Sequence, residues 1–387
     1  MVLAVSLLPN AILGTIARQL CSQKGDLVDG DTTGWLHQQD LFVAGVGGYH
    51  TDRIPALAAS TQGTLLAFCE GRLHGQGDAG EIGILLRRSN DRGNTWGEAQ
   101  IAVAEANMTC GDPCPTLDAS DGTIWLPLCK NLCAGAEHLI IRGQAPRTVR
   151  LTHSHDEGRT WAEPSEITAS TKNPSWTWYA TGPGHGIQLS IGRLVAPCDH
   201  VRAADPSDGN ISYQELAHSH LLYSDDHGLT WQIGAVAQEG TNECELVEVA
   251  DGGLYVSSRN YRGARRRAYA WSRDGGLTFS EQGWDEALRE PICQASLACY
   301  PGAGGPGRHG VLFTNPASTE REQLTVRMST DDCRTWGVAR VLHAGPSAYS
   351  DLAVISEGTI CCLYECGADH PYERLTLARF DLAWLTA

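Results

Sequence analysis

Five copies of one eight-residue motif constrain the fold of this 387-residue chain more than any other feature. The motif reads Ser-x-Asp-x-Gly-x-Thr-aromatic, and successive copies begin 48 to 70 residues apart. The copies are SNDRGNTW at 89–96, SHDEGRTW at 154–161, SDDHGLTW at 224–231, SRDGGLTF at 272–279 and STDDCRTW at 329–336. Uneven repeats of this length favour a four-stranded unit with variable loops over a helical array.

Each motif predicts a tight turn between two strands. The Asp carboxylate can accept hydrogen bonds from amides two residues on, the Gly supplies a positive φ, and the aromatic ring packs back on the sheet. In the last copy Cys333 stands at the Gly position, where a left-handed backbone costs about 1–2 kcal/mol unless the turn relaxes. The motif therefore predicts a structural turn, and if it does nothing else, the functional residues lie elsewhere.

The sequence between the motifs reads as short strands. Apolar runs such as GTLLAFCEGR, GTIWLPLC and LTVRMS alternate with turn signals such as DGG, SDG and GPG. We predict an all-β fold, a six-bladed β-propeller with four-stranded antiparallel blades, one of which lacks the motif. A β-helix or a sandwich is the alternative. Residues 41–387 are predicted to form this single domain, and residues 1–40 a degraded signal sequence or a closing strand.

The charge of the chain argues against two classes of partner. Its formal net charge is −16, so the whole molecule does not attract nucleic acid or an anionic membrane surface. Beyond the apolar N-terminus, no stretch reaches the roughly 20 apolar residues that a membrane span needs. The densest basic run, Arg265 to Arg267, is predicted to be a solvated strand edge or loop.

The 14 cysteines point to core thiols. Several replace apolar residues in strand-like runs such as LLAFCEG and GTICCLYE, which predicts reduced, buried thiols and slightly favours an intracellular protein, with secretion left open. The spacing of Cys110 to Cys114 and of Cys129 to Cys133 fits a zinc site poorly, so we predict no metal. A disulfide between these two loops stays open.

Three arginines lie near strand ends in three different predicted repeats. Arg53 lies in GYHTDRIPALA, Arg259 ends GLYVSSRN and Arg321 precedes the strand EQLTVRMS. Taken singly, each is expected at the surface, but three that converge on one axis would bind a carboxylate strongly. Glu365 lies in the apolar run ICCLYECG, where it needs an arginine partner unless it faces water at a sheet edge.

Three further residues could carry out bond chemistry. Asp78 lies in the glycine-rich loop LHGQGDAGE, Glu243 begins the strand TNECELVEV and Tyr349 follows a turn in GPSAYSDLAV. Taken alone, they are also consistent with a turn Asp, a strand-end carboxylate and a packed aromatic ring.

Together these stretches resemble the exo-sialidase (neuraminidase) family of glycoside hydrolases, six-bladed propellers whose repeats are named Asp boxes or BNR repeats. The likeness runs from about Gly47 to the closing strands, and it rests on the combination of RIPAL, LAFCEGR, GDAGEIGILLRRSNDRGNTW and NECELVEVADGGLYVSSR. An Asp box alone is unspecific, because unrelated propellers carry it. In this family the boxes lie at the outer rim, away from an axial pocket.

The resemblance implies a carboxylate-binding triad. Arg53 in RIP, Arg259 at the end of the NEC strand and Arg321 in the NP…R..L segment would hold the C1 carboxylate of a sialic acid. Glu365 in LYE would orient Arg53.

The resemblance also implies the reaction, hydrolysis of terminal α-linked sialic acids from glycans, glycoproteins or glycolipids with retention. Tyr349 would be the nucleophile and Glu243 its base, because a neutral phenol avoids the repulsion that a carboxylate would meet at this substrate. Asp78 would be the acid/base. Arg72 would lie near the acid loop and the O4 of the sugar, and Glu70 would line the pocket. No metal or organic cofactor is required.

Three alternatives remain. Trp176, Trp178 and Tyr179 in NPSWTWYATGPGHG could form an acceptor platform, which a sialidase that transfers sialic acid would need. A preference for a deaminated, N-glycolyl or other nonulosonic acid is a second alternative, which the loop containing Met108 could decide. A non-catalytic Asp-box binding propeller is the third, and it predicts the loss of a catalytic residue, whereas every expected position is filled.

Overall fold

The apolar runs between the motifs form antiparallel β-strands, which confirms the all-β prediction. A computed structural model describes residues 34–204, 212, 214–262, 265–302 and 309–387. Within these ranges no helix is long and apolar enough to cross a membrane. The helical elements are α1 (Glu137–Ile141), α2 (Thr168–Thr171), α3 (Leu382–Thr386) and a 3₁₀ turn, Ser356–Gly358.

The first sheet has seven strands and joins the two ends of the described chain. In spatial order they are β1 (Leu36–Val43), β25 (Arg374–Phe380), β24 (Ile360–Cys366), β23 (Val338–Val354), β22 (Glu322–Ser329), β21 (His309–Pro316) and β20 (Ser296–Pro301). Strand β23 is 17 residues long. Its first part pairs with β22 and its second part with β24, so one strand serves two groups.

The second sheet has nine strands. In spatial order they are β10 (Ser165–Glu166), β9 (Thr148–Ser154), β8 (Ile124–Leu132), β6 (Met108–Gly111), β4 (Ile82–Ser89), β3 (Leu65–Arg72) and β2 (Thr51–Ala59), with β5 (Gln100–Val103) on β4 and β7 (Thr116–Leu117) on β8. Its two halves meet in a single parallel pair, Ile82 opposite Thr109.

The other two sheets are smaller. The third contains β11 (Trp176–Thr181), β13 (Leu194–Arg202), β14 (Ala217–Ser224) and β15 (Gln232–Val236), with β12 (Ile187–Gln188) on β13. The fourth contains β16 (Thr241–Glu248), β17 (Leu254–Asn260), β18 (Arg266–Ser272) and β19 (Glu281–Arg289).

Apolar side chains fill the space between successive strand groups. One cluster packs Phe68 of β3 and Leu86 of β4 against Leu126 of β8, and all three are fully buried. Each such side chain contributes about 1.5–3 kcal/mol to folding through its burial. In the described part of the chain thirteen cysteines are free thiols and most are buried, which confirms the prediction of core thiols. The disulfide left open between Cys110/Cys114 and Cys129/Cys133 is not formed in this structure.

The N-terminal prediction lies mostly outside the described residues, which start at Gly34. From Gly34 to Ala387 the chain forms one compact unit. Strand β1 pairs antiparallel with β25, with Leu36 opposite Phe380. Residues 36–40 therefore belong to the first sheet.

The five Asp boxes share one local hydrogen-bond pattern. In the first, Asp91 accepts hydrogen bonds from the backbone N–H and the hydroxyl of Thr95, at 2.8 and 2.6 Å, and Ser89 Oγ accepts one from the N–H of Gly93 at 2.7 Å. The prediction that the Asp binds the amide two residues on is therefore wrong, because the Thr four residues on supplies both donors. The closing aromatic ring packs inward as predicted, and Trp231 is only 1% exposed.

The fifth box keeps this geometry despite Cys333. The φ of Cys333 is +61°, so the turn does not relax, and its N–H still donates to Ser329 Oγ at 3.0 Å. Of the two outcomes that the sequence left open, the structure therefore shows the left-handed backbone and not the relaxed turn.

The prediction that Arg265 to Arg267 is solvated is wrong for Arg267, which is fully buried. Its guanidinium donates to Glu290 at 2.8 Å and to Ser257 Oγ of the neighbouring strand β17 at 3.1 Å. A buried carboxylate partner, invisible in the sequence pattern, makes this position an internal one.

Candidate active site

A polar cavity of about 400 Å³ lies where strands of all four sheets approach one another. It brings together residues that lie far apart in the sequence. Eight of the nine predicted site residues line it, namely Arg53, Glu70, Arg72, Asp78, Glu243, Arg259, Arg321 and Tyr349. The ninth, Glu365, is fully buried and contacts Arg53. None of the Asp-box residues, all of which are described, lines this cavity.

A buried ion pair fixes Arg53. Its Nε and Nη2 donate to the Glu365 carboxylate at 3.0 and 3.3 Å. Glu365 also accepts from the backbone N–H of Ile54 at 3.0 Å and of Tyr349 at 3.1 Å. Ile54 has a φ of +59°, a strained value for a β-branched residue, and the Glu365 bond helps to hold it. The alternative that Glu365 faces water is therefore wrong, and this carboxylate ties the Arg53 strand to the Tyr349 strand.

The hydroxyl of Tyr349 lies between the Glu243 carboxylate and the Arg259 guanidinium. It donates a short hydrogen bond to Glu243 and accepts one from Arg259 Nη1 at 3.1 Å. The same Arg259 nitrogen donates to the other Glu243 oxygen at 2.8 Å. Burial, followed by the charge of Glu243, raises the pKa of Tyr349 well above its usual value, so the phenol is neutral and donates its hydrogen bond to Glu243.

Arg321 contacts two tyrosine rings. Its guanidinium carbon lies 5.5 Å from the ring centroid of Tyr349, and its Nη1 donates a short hydrogen bond to the hydroxyl of Tyr372. The Tyr372 ring also lies under Arg53, with 3.9 Å between the guanidinium carbon and the ring centroid. The sequence analysis missed Tyr372, although the resemblance already placed the carboxylate-binding arginines whose neighbour it is.

Asp78 is the most exposed of the predicted residues, with 58% of its side chain accessible. Its Oδ1 lies 2.8 Å from Arg72 Nη1 and 3.4 Å from Arg53 Nη1. Burial of the carboxyl raises its pKa, but the charges of Arg72 and Arg53 outweigh that effect and the pKa is lowered. An exposed carboxylate on a loop can reach a bound molecule, and its protonation depends on what the two arginines hold.

Behind Asp78, two ion pairs joined by a backbone hydrogen bond continue along the cavity wall. Arg72 is bound to Glu70 at 2.6 Å, and Glu70 accepts from the backbone N–H of Asp112 at 2.8 Å. Asp112 in turn forms a short ion pair with the buried Arg147, whose guanidinium stacks 4.3 Å from the Trp178 ring centroid. Burial raises the pKa of Asp112 although Arg147 opposes it.

The cavity is lined by three acids that the sequence analysis missed, Asp112, Glu137 and Asp199. Asp199 is 1% exposed and accepts a hydrogen bond from Asn242 Nδ2 at 2.8 Å. Burial raises its pKa far above the usual value, with further contributions from Glu243 and Asp112. A carboxyl group at the end of the apolar run GRLVAPCD was the available sequence signal.

The comparisons identify the family. Residues 63–362 match the family model described as a BNR repeat-like domain. The chain is 35% identical to a sialidase of Micromonospora viridifaciens, over 90% of this chain and 54% of that protein, so it spans about half the relative's length. It is 30% identical to sialidase-2 of Cricetulus griseus, over 90% of this chain and 96% of the relative. The chain belongs to the sialidase family.

A solved structure supports the same assignment of this sialidase-family chain. The Hadza microbial sialidase Hz136 is 30% identical, with a TM-score of 0.80, and the match covers 90% of this chain and 69% of the other.

The three aromatic residues predicted to form an acceptor platform lie in different surroundings in this sialidase-family chain. Only Trp178 lines the cavity, and Arg147 stacks against its ring. Tyr179 is fully buried, and Trp176 stacks on His200 with 3.5 Å between ring centroids. Met108 packs against an apolar cluster and is not among the lining residues. A three-ring platform is not formed. Met108 itself lies outside the cavity, but its neighbours Thr109 and Asp112 line it.

One group in the described chain offers metal-type ligands, His185 with Glu245 and Asp351. It lies beside a different cavity of about 480 Å³ that is lined mainly by apolar side chains. His185 Nδ1 is 2.9 Å from Asp351 Oδ1, a hydrogen-bond distance. Burial lowers the pKa of His185, but Asp351 and Glu245 raise it to about 9, so a buried imidazolium donates to Asp351.

Proposed function

We propose that this chain is a retaining exo-α-sialidase, which hydrolyses terminal α-ketosidically linked sialic acids of glycoproteins, glycolipids and free glycans. The observation that carries the proposal is the Tyr349 hydroxyl, hydrogen-bonded to Glu243 and Arg259 in an arginine-lined cavity. Two relatives of the chain are named sialidases, which supports the proposal. The proposed mechanism uses side chains alone and needs no cofactor.

The arginine triad supplies positive charge in an otherwise acidic protein. A guanidinium binds a carboxylate through two parallel hydrogen bonds, and Arg53, Arg259 and Arg321 all line the cavity. The guanidinium carbons of Arg53 and Arg321 lie 5.2 and 5.5 Å from the Tyr349 ring centroid. The C1 carboxylate of a sialic acid bound by the triad would therefore place the adjacent anomeric carbon beside Tyr349.

Tyr349 is the proposed nucleophile. Its oxygen attacks the anomeric carbon while its proton passes to Glu243, and the bond to the leaving glycosidic oxygen breaks with its electron pair. A free phenol titrates near pH 10, so the attack requires this base. A neutral nucleophile also avoids the repulsion that a carboxylate would meet from the C1 carboxylate of the substrate.

Asp78 is the proposed acid/base. It donates its proton to the leaving oxygen, and its carboxylate then accepts a proton from the water that attacks the anomeric carbon. The bond to Tyr349 breaks in this second step, and the proton held by Glu243 returns to the phenol. Two displacements at one carbon give retention. Arg72 positions the Asp78 carboxylate through an ion pair, and Glu70 in turn binds Arg72.

We also propose that residues 41–387 form a six-bladed propeller, closed by residues 36–40. The strand pairing supports six groups of about four strands, because β23 serves two groups and the nine-stranded sheet divides at its single parallel pair. The buried free thiols favour a reducing compartment.

Release of 4-methylumbelliferone from its α-glycoside of N-acetylneuraminic acid tests the activity. Wild type is expected to hydrolyse it, and Tyr349→Phe is expected to lose about 10³-fold or more in kcat/KM. Tyr223→Phe is the matched control, because it removes a hydroxyl bonded to Gln232 outside the cavity. A fully active Tyr349→Phe variant would reject the proposed nucleophile.

The outcome of the reaction separates the remaining alternatives. Proton NMR should detect the α-anomer of the free sugar first, and the β-anomer first would reject retention.

Parallel assays with the deaminated and N-glycolyl glycosides give the preferred sugar, and added lactose tests transfer. Because only one of the three predicted platform residues, Trp178, lines the cavity, hydrolysis should exceed transfer. A folded wild type that is silent on all three glycosides would leave a binding propeller.

A further inference from the structure

We propose that Tyr372 is a positioning residue that couples two arginines of the carboxylate-binding triad and fixes Arg321 in particular. The inference rests on the proposed function, since the triad is assigned there to the substrate carboxylate. It concerns a residue that neither the sequence motifs nor the resemblance singled out.

The three arginines of the triad differ in how they are held. Arg53 is paired with Glu365 at 3.0 Å, and Arg259 with Glu243 at 2.8 Å. Among the described residues Arg321 has no carboxylate within ion-pair distance, and its guanidinium donates instead to the hydroxyl of Tyr372. An uncharged acceptor orients Arg321 and leaves its charge uncompensated, so this guanidinium keeps its full attraction for a ligand carboxylate.

The ring of Tyr372 serves the second arginine. The guanidinium carbon of Arg53 lies 3.9 Å above the ring centroid, which is close stacking for a cation on an aromatic face. The Glu365 carboxylate holds the edge of the same guanidinium, so carboxylate and ring together fix its plane. One side chain therefore sets the position of Arg321 through its hydroxyl and of Arg53 through its ring.

Hydrogen bonds within the turn restrain the segment that carries Tyr372. Glu373 accepts hydrogen bonds from the backbone N–H groups of three residues, Ala368 at 3.0 Å, Asp369 at 2.8 Å and His370 at 2.9 Å. The His370 ring packs edge-on against Tyr372, with 4.7 Å between centroids. The three amide bonds lower the pKa of Glu373 to about 2, so the carboxylate that accepts them is protonated only as the pH falls toward 2.

Two substitutions separate the two contacts. Tyr372→Phe keeps the ring under Arg53 and removes only the acceptor of Arg321, whereas Tyr372→Leu removes both. Because the triad holds the carboxylate in the ground state and in the transition state alike, the loss should fall on KM more than on kcat. We expect KM to rise about 3- to 10-fold in Tyr372→Phe and further in Tyr372→Leu, with kcat changed less than threefold in Tyr372→Phe.

A double-mutant cycle with Arg321→Lys distinguishes positioning from a general structural role. If Tyr372 acts through Arg321, adding Tyr372→Phe to Arg321→Lys should raise KM by less than twofold more. Additive losses, or an unchanged KM in Tyr372→Phe, would overturn the inference. Tyr223→Phe should leave both constants at the wild-type value, and thermal unfolding should confirm that each variant is folded.

Whether wild type turns over the substrate separates the proposed function from the proposed role of Tyr372. Turnover by wild type with an unaltered KM in Tyr372→Phe rejects only the role of Tyr372. If wild type shows no turnover, the proposed activity fails, and the same variants are compared by calorimetric titration with N-acetylneuraminate. Weaker binding in Tyr372→Phe would still support the positioning role, and equal binding would reject it.

Discussion

The Asp-box turns and the arginine-lined cavity are built in opposite ways. In a box, Asp274 bonds to Thr278, four residues on, and the contacts of the carboxylate stay within that one turn. In the cavity, Tyr349 bonds to Glu243 across 106 positions of sequence and Arg53 to Glu365 across 312. The difference shows that repetition in the sequence marks the parts that each turn can build alone, whereas the proposed chemistry depends on contacts that only the assembled fold provides.

The largest expected effect belongs to the cavity. Glu243→Gln keeps the shape of the side chain but removes the acceptor of the Tyr349 proton, so kcat/KM should fall by about 10²–10⁴-fold. The melting temperature should fall only modestly, because the amide oxygen can still accept a hydrogen bond from Arg259 although the charge of that ion pair is lost. Steady-state kinetics and thermal unfolding measure the two effects. Near-normal activity would show that another group takes the proton.

A box substitution should do the reverse. Gly228 has a φ of +84°, and a side chain there would collide with the indole ring of Trp125. Gly228→Ala should therefore destabilise the fold by about 2–4 kcal/mol in chemical denaturation, while the folded fraction keeps its kcat and KM. Lost activity in the folded protein would instead couple this turn to the cavity and break the comparison.

Two carboxylates sharpen the comparison through their pKa values. Burial raises the pKa of Asp274, but hydrogen bonds from Thr278 outweigh it and lower the pKa to about 2. Its contribution to stability is therefore present above about pH 4 and is lost as the pH falls toward 2. Because these bonds are internal to the turn, ligand should not move this pKa, and NMR titration with and without N-acetylneuraminate checks that.

Asp78 should respond to ligand in the way that Asp274 does not. Arg72 and Arg53 lower its pKa in the free protein, so its acid form is scarce at neutral pH. A substrate carboxylate on Arg53 offsets part of that charge and should raise the pKa. The basic limb of kcat, which reports the bound enzyme, should therefore lie at higher pH than that of kcat/KM. Coincident limbs would mean that the triad does not tune Asp78.

The smallest effect is expected at the fifth box. Cys333→Gly removes the cost of a left-handed φ, about 1–2 kcal/mol, but adds backbone entropy to the unfolded chain, about 0.5–1 kcal/mol. A gain of up to about 1.5 kcal/mol in denaturant unfolding should remain, with unaltered kinetics. A loss would show that the packing of the buried thiol outweighs the relief of strain.

What could be predicted from the sequence follows the same division. The sequence narrowed two positions to two alternatives each. The observed alternatives are a positive φ at Cys333, where four other boxes carry Gly, and the burial of Glu365, whose neighbours are apolar. The buried position of Arg267 was not predictable, since its partner Glu290 lies outside any pattern. Tyr372 was missed for the same reason, because its role depends on where a turn places it against strands from distant parts of the chain.

The proposal that chemistry resides at Tyr349 can be tested most directly by trapping. A 2,3-difluoro sialic acid forms its covalent adduct faster than the adduct breaks down, because fluoride leaves readily and the second fluorine slows hydrolysis. Peptide mass spectrometry after brief exposure should locate the sugar on Tyr349, within the peptide that contains β23. A sugar on Glu243 or Asp78, or steady release of fluoride with no labelled tyrosine, would contradict the account.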